Sequence, residues 1–236
     1  MPHSPKFLAD IGRTISRQRL TRYLNAAGND IERALDLYEK NLALSESMFG
    51  FLHGLEVAVR NSLHQTLSCD LGVEDWFQDG FTVSGKAIPA LTFNAPMLDM
   101  IWEARKTAGI HAPIGKVIAE LSFGFWSNLT AKRYDRLWRA SLHKAFPNAR
   151  VRRGIIHWRL ETIRRLRNRI AHHEPILSSR NVMYTGYSGQ PVISLIEINE
   201  CAEWVSVPMA DWLRSVSGYG KAATILSDVN ASSYTL

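Results

Sequence analysis

The densest reactive chemistry in this 236-residue chain lies between Val151 and His173. Arg152, Arg153, Arg159, Arg164, Arg165, Arg167 and Arg169 fall in one segment with Glu161 as its sole acid, and His172 and His173 come directly after. Like charges three and four residues apart repel along a helix, so the run calls for a compensating anion, either a phosphate backbone or an acidic partner. A solvated basic face is the plainer structural alternative.

Helical geometry sorts these residues. Positions three, four and seven apart share a face, so Arg165, Asn168, Arg169 and His172 project together. The Asn168 amide can then hydrogen-bond the His172 ring and select its tautomer, while guanidinium groups neutralise a phosphate. Arg167 stands five residues before His172, about 140° away around an ideal helix. Joint action of Arg167 and His172 therefore needs a distorted helix end or a second subunit.

That set suits RNA cleavage through the ribose 2′-hydroxyl. The reaction needs a base for the hydroxyl, an acid for the leaving oxygen and cationic donors for charge developing on phosphorus. Histidine titrates near neutrality and arginine grips phosphate in bidentate fashion, so the pair can supply all three without metal. DNA lacks the nucleophile, which makes the chemistry selective for RNA.

Arg167-Asn168-Arg169-Ile170-Ala171-His172, continued by His173-Glu174-Pro175, resembles the Arg, four to six residues, His signature of HEPN domains. A bare Arg-x4-His is a weak motif, and the extended form is far more specific. Arg19-Leu20-x-x-Tyr23-Leu24, Tyr38-x-x-Asn41, Leu55-Glu56-Val57-Ala58-Val59-Arg60-Asn61 and Glu120-Leu121-Ser122-Phe123-Gly124-Phe125-Trp126, with Tyr134 and Trp138, are similar to the Abi-like (abortive infection) branch of that superfamily. The likeness runs from Ser16 to Trp212. It implies an all-α HEPN-type helical bundle and a homodimer with two Arg/His motifs facing each other. It also implies a metal-independent endoribonuclease acting in anti-phage defence or as a toxin, held by an antitoxin or released by a phage-derived trigger.

On this reading Arg167, Asn168 and His172 are catalytic, and Arg164, Arg165, Arg169 and His173 bind RNA. His53, Glu56, Arg60 and His64 form a second polar line on one helix face. Glu56 and Arg60 by themselves make only an exposed ion pair worth a few tenths of a kcal/mol. The resemblance makes Glu56, Arg60 and Asn61 supporting residues, with Glu56 orienting and Arg60 meeting phosphate.

Apolar spacing predicts the elements that position these groups. One helix carries Ile15, Leu20, Tyr23 and Leu24; a second, capped by Asn29 or Asp30, carries Ile31 to Leu42; a third runs from Ser45 or Ser47 to just before Gly72. Residues 70–95 read as a connecting segment with little regular structure, although Trp76, Phe77 and Phe81 should pack down. Further helices are predicted over Met97 to Thr107, Ile114 to Leu129, Tyr134 to Ala145, Val151 to Ala171 and Ala210 to Val216. Residues 178–190 suggest a loop or short hairpin, and Val192 to Ile198 a strand or the start of a helix. The chain reads as a single domain over 1–236 with flexible ends at 1–15 and 218–236.

Composition narrows the function classes. An apolar fraction of 46% with 21% charged residues is that of a folded globular protein. A net charge of +6 and a pI near 9.5 suit a polyanion such as RNA. Cys69 and Cys201 match no zinc or CxxC spacing, and His172-His173 diverge by about 100° on a helix, so no metal or other cofactor is expected. Ser122 to Trp126, Tyr134 and Trp138 read as packing rather than a base-stacking platform. No phosphate-loop, dinucleotide or serine-hydrolase motif is present. The N-terminus carries no signal-like apolar stretch and no apolar run approaches the ~20 residues that span a bilayer, so a cytoplasmic protein without membrane contact is expected. Two other readings use the same basic helix: a non-catalytic RNA-binding module, and a protein-interaction module that docks an acidic partner.

Overall fold

Apolar residues three and four apart dictate most of the architecture seen in the computed structural model, which describes residues 4–77, 82–83, 86–87, 93–109, 111–178, 182–185 and 192–231. The described chain is mainly α, with eleven α-helices and two short antiparallel two-stranded sheets. It divides into two compact units. The first draws on residues 1–52, 165–195 and 213–236, the second on 53–164 and 196–212.

In the first unit the N-terminal stretch is two helices, α1 (Pro5–Ile15) and α2 (Arg17–Ala26), where one stripe was expected. Ser16 breaks them with a left-handed φ of 75°, and its Oγ accepts from the Arg19 amide at 3.3 Å. Gly28 and Asn29 also turn left-handed before α3 (Ile31–Leu71), and Asp30 is its cap, its carboxylate accepting from the amides of Glu32 and Arg33.

Where two helices were expected, α3 runs unbroken for 41 residues. Ser45 and Ser47, candidate caps in the sequence, instead donate back to the carbonyls of Asn41 and Ala43, as serine does inside a helix. By length and composition α3 could cross a membrane, against the expectation of no such run. Its apolar stripe of Leu44, Met48, Leu55, Val59, Leu63 and Leu67 is fully buried, as in a core helix.

Strands β3 (Val182–Tyr184) and β4 (Val192–Ser194) pair antiparallel with Met183 opposite Ile193, so the partner of β3 lies beyond 178–190, in the stretch from Val192 that is first strand and then, from Leu195, helix. Helix α11 (Tyr219–Ala231) replaces the expected polar tail and buries Ala222, Leu226 and Val229. Gly218 precedes it where a Cβ would fall 2.6 Å from Ser47 Cα, so only glycine allows that approach.

The second unit holds the remainder of α3, then β1 (Thr82–Val83) with β2 (Lys86–Ala87), α4 (Ala95–Ala108), α5 (Ile114–Glu120), α6 (Phe123–Asn128) and α7 (Asp135–Ala140). The run from Ile114 to Leu129 is not one helix, because Leu121 and Ser122 adopt extended backbone. The run from Tyr134 to Ala145 is likewise interrupted at Ser141. The first part of α8 (Arg153–Ala171), most of α9 (Leu195–Val205) and the start of α10 (Val207–Val216) complete the unit.

Aromatic rings fill its core. Trp76 lies 4.8 Å from Phe77 and within 6.4 Å of Phe93, Phe125 and Trp126, centroid to centroid. The packing expected of Trp76 and Phe77 is therefore present, while Phe81 lies outside the described residues. Trp126 and Tyr134 are buried and half-buried Trp138 stacks on Phe146, so these aromatics serve packing.

The Trp76 indole N–H, at 1% exposure, donates to Nδ1 of His64 at 3.0 Å, which requires that nitrogen to be unprotonated. Burial pushes the His64 ring below its ordinary range, against a smaller opposing pull from Glu74. Stability from neutral His64 is thus fully present above the unfolded pKa of about 6.5 and is lost as pH falls through the lower folded value. Thermal melts between about pH 7.5 and about pH 5.5 should show a larger drop for wild type than for His64→Gln, whose amide oxygen still accepts from Trp76 without titrating. Equal drops would refute this role of His64.

Candidate active site

Helix α8 forms because Ile156, Leu160, Ile163 and Leu166 recur at spacings of four and three and are all buried. Its arginines are not left to repel one another. Arg153 meets Asp135 at 3.3 Å and donates to the Thr130 carbonyl, and Arg159 meets Glu197 at 3.0 Å and Glu200 at 3.6 Å. Arg164 holds Glu161 at 2.9 Å, and Arg169 holds Glu174 at 2.7 Å. The compensating anions expected from outside are largely supplied by acids of the chain itself.

Burial raises the Glu161 carboxyl, but hydrogen bonds from Arg164 and Ser127 outweigh it and bring the group below the usual carboxylate range. Arg164 therefore holds this half-buried carboxylate in the second unit. His157, on the same helix, meets Thr130 Oγ1 at 3.0 Å.

The end of α8 belongs to the first unit and stays regular to its last turn. The His172 amide donates to the Asn168 carbonyl at 2.9 Å, an ordinary helical bond. Only at His173 does the chain turn left-handed, with φ 56°, while the His173 amide donates to the Ile170 carbonyl and the Glu174 amide to the Arg169 carbonyl. This is a Schellman cap with histidine where glycine is usual. Arg167 and His172 are both exposed, and five regular helical steps separate their side chains by about 140°. Half-buried Asn168 sits one turn before His172 on the same face, and among the described residues neither side chain makes a hydrogen bond.

Arg169 does different work. Its Nε and one terminal nitrogen donate to the Pro175 carbonyl at 3.0 and 2.8 Å, its other terminal nitrogen meets Glu174, and its guanidinium lies 4.9 Å from the Tyr184 ring centre. It closes the turn after the helix. Asn41 then fixes the Ile176-Leu177 segment: its Oδ1, on a side chain 4% exposed, accepts from the two amides at 2.8 and 3.0 Å. Sequence reasoning placed Asn41 in a family segment without a role.

From α2, Arg19 donates to the His173 carbonyl at 2.6 Å and Arg22 to the Leu177 carbonyl at 3.3 Å, with the Arg22 guanidinium 4.4 Å from the Tyr184 ring centre. Neither arginine was singled out for the site. The structure thus gathers Arg165, Arg167, Asn168, Arg169, His172 and His173 in the first unit, with His173 exposed at the turn. Glu56, Arg60 and Asn61 belong to the second, where Arg60 Nε donates to Asn61 Oδ1 at 3.2 Å. Among the described residues no three His, Cys, Asp or Glu side chains cluster to hold a metal ion.

Two substitutions check this construction. Asn41→Ala leaves two buried amides without an acceptor and should cost about 3 kcal/mol in denaturant unfolding, at about 1–3 kcal/mol per orphaned group. His173→Gly should stabilise by about 1 kcal/mol, because glycine adopts the left-handed cap without a Cβ clash. An Asn41→Ala protein as stable as wild type would overturn the first expectation, and a destabilised His173→Gly protein the second.

No curated protein and no solved structure matches the chain. The model of the Abi-like protein family matches residues 13–178, more than half of the chain. That span takes in α2, Asn41, the Glu56 to Asn61 segment and the whole of Arg167 to Pro175, and it stops short of the Trp212 to which the likeness was expected to reach. The chain therefore belongs to the Abi-like protein family.

Proposed function

We propose that this Abi-like protein is a metal-independent endoribonuclease of HEPN type whose site is completed by a second copy of the chain. The observation that carries the reading is the regularity of α8 through His172, which leaves Arg167 and His172 on different faces of one helix. Of the two routes to joint action, a distorted helix end finds no support in that backbone. A homodimer that faces two such ends supplies the partner subunit's Arg167 to each His172. Membership of the Abi-like family points to a role in abortive infection or defence.

In the proposed reaction the 2′-oxygen attacks phosphorus as its proton passes to a base, and the bond to the 5′-oxygen breaks as that oxygen takes up a proton. The products are a 2′,3′-cyclic phosphate and a 5′-hydroxyl. His172 acts as acid or base, Arg167 stabilises charge on the phosphorane oxygens, and Asn168 orients the His172 ring from one turn away. Arg165, Arg169 and His173 contribute to RNA binding. The protein acts in the cytoplasm under an antitoxin or phage-derived trigger.

Purified protein should cleave RNA in the presence of EDTA to give cyclic-phosphate ends, and His172→Ala and Arg167→Ala should each lose at least about a hundredfold in rate. Mixing the two inactive variants by subunit exchange should restore about a quarter of wild-type activity, because half the dimers are mixed and each has one intact site. RNA binding with no cleavage under any condition would indicate the non-catalytic module instead. Cleavage by wild type with no recovery in the mixture would refute the shared site.

A further inference from the structure

We propose, resting on the endoribonuclease reading, that a recess of about 430 Å³ lined by Ser16, Gln18, Arg19, Arg22, Glu174 and Pro175 binds a phosphodiester of the RNA strand flanking the one that is cleaved. RNA contacts inferred from sequence lie on α8, whereas this recess takes its cations from α2.

The balance of charge singles the recess out. Arg153, Arg159, Arg164 and Arg169 each pair with a carboxylate, but among the described residues neither Arg19 nor Arg22 does. Arg19 donates to the His173 carbonyl and Arg22 to the Leu177 carbonyl, and a guanidinium carries five N–H donors in all. Arg22 also shares the Tyr184 ring with Arg169, so two cations lie within 5 Å of one ring centre. Burial, and to a lesser degree the Arg169 charge, depresses Arg22 below its ordinary range, so holding it charged there has a cost that an anion would relieve.

The shape and polarity of the walls choose the ligand. Two guanidinium forks beside a hydroxyl and an amide suit phosphate oxygens. Glu174, which also lines the recess and is partly neutralised by Arg169, disfavours a dianion such as free phosphate and tolerates the single charge of a diester. Arg19 touches the main chain of the residue after His172, so a strand with its scissile phosphate at His172 brings a flanking phosphate to the recess.

The test is fluorescence anisotropy of a 2′-O-methyl RNA oligomer, which cannot be cleaved, binding to the full-length protein over a salt series. Arg19→Gln keeps a donor for the His173 carbonyl but loses the charge. It should weaken binding at least about fivefold and reduce the slope of log affinity against log salt by about 0.7, the value for one phosphate contact to a single strand. Arg19→Lys should recover the slope, and Arg17→Gln, an exposed charge on the same helix outside the recess, should bind as wild type does. Equal effects of Arg17→Gln and Arg19→Gln, or no measurable binding by wild type, would overturn the proposal. Displacement of the oligomer by inorganic phosphate that depends on Arg19 would make this a free-phosphate site and also overturn it. Arg19-dependent binding without any cleavage by wild type would remove the nuclease reading and leave the recess, while cleavage with unaltered Arg19→Gln binding would do the reverse.

Discussion

Two buried main-chain amides, those of Ile176 and Leu177, share a single side-chain oxygen on Asn41, and the geometry after α8 depends on that sharing. A buried amide without an acceptor is among the more expensive defects a fold can carry, so the segment has little freedom to settle elsewhere. Once it is tied down, Leu177 bridges Met183 and the Tyr184 amide donates to the Ile176 carbonyl. Tyr184 is thereby set where Arg22 and Arg169 both meet its ring. Arg169 then closes on Pro175 and Glu174, and the turn at His173 is held between α8 and this clamp. The exposed His172 end is thus positioned by neighbours that carry no reactive chemistry of their own.

The histidine at the left-handed position adds a conformational cost to the same few residues. A β-carbon there sits close to backbone, and the usual occupant is glycine. Such strain persists when the surroundings over-determine it, which the amides on Asn41 and the bonds of Arg19 and Arg169 do. In the second unit another polar anchor, the Trp76 indole on His64, sets the aromatic core.

Local periodicity was enough to read α4 and α8, and the Asp30 cap was readable from its residue type. What escaped was whatever depends on which of two competing bonds a residue makes. Ser45 and Ser47 look like caps in sequence, and only the availability of carbonyls four residues back shows them to be interior. Ser16 ends α1 through a left-handed φ that no glycine or proline announces. Ala222, Leu226 and Val229 stand four and three apart, a helical signal masked by the small, polar residues around them. At the site the Arg167 to His172 motif was legible as a string. The partners of Arg159 and Arg169 were not, because a carboxylate that neutralises an arginine need not be near it in sequence. Asn41 lies 135 residues from the amide it serves, and nothing local marks it.

On the proposed RNA reading, the internal pairing of the α8 arginines sets how selective this surface is. A run of unpaired guanidiniums would condense onto any polyanion, and transcripts, ribosomes and transfer RNAs would compete for it alike. With four of its arginines already answered by Asp135, Glu197, Glu161 and Glu174, the helix has little indiscriminate pull. Selection among strands then falls to a few cations fixed in place beside the helix end, which favours a fit over an embrace.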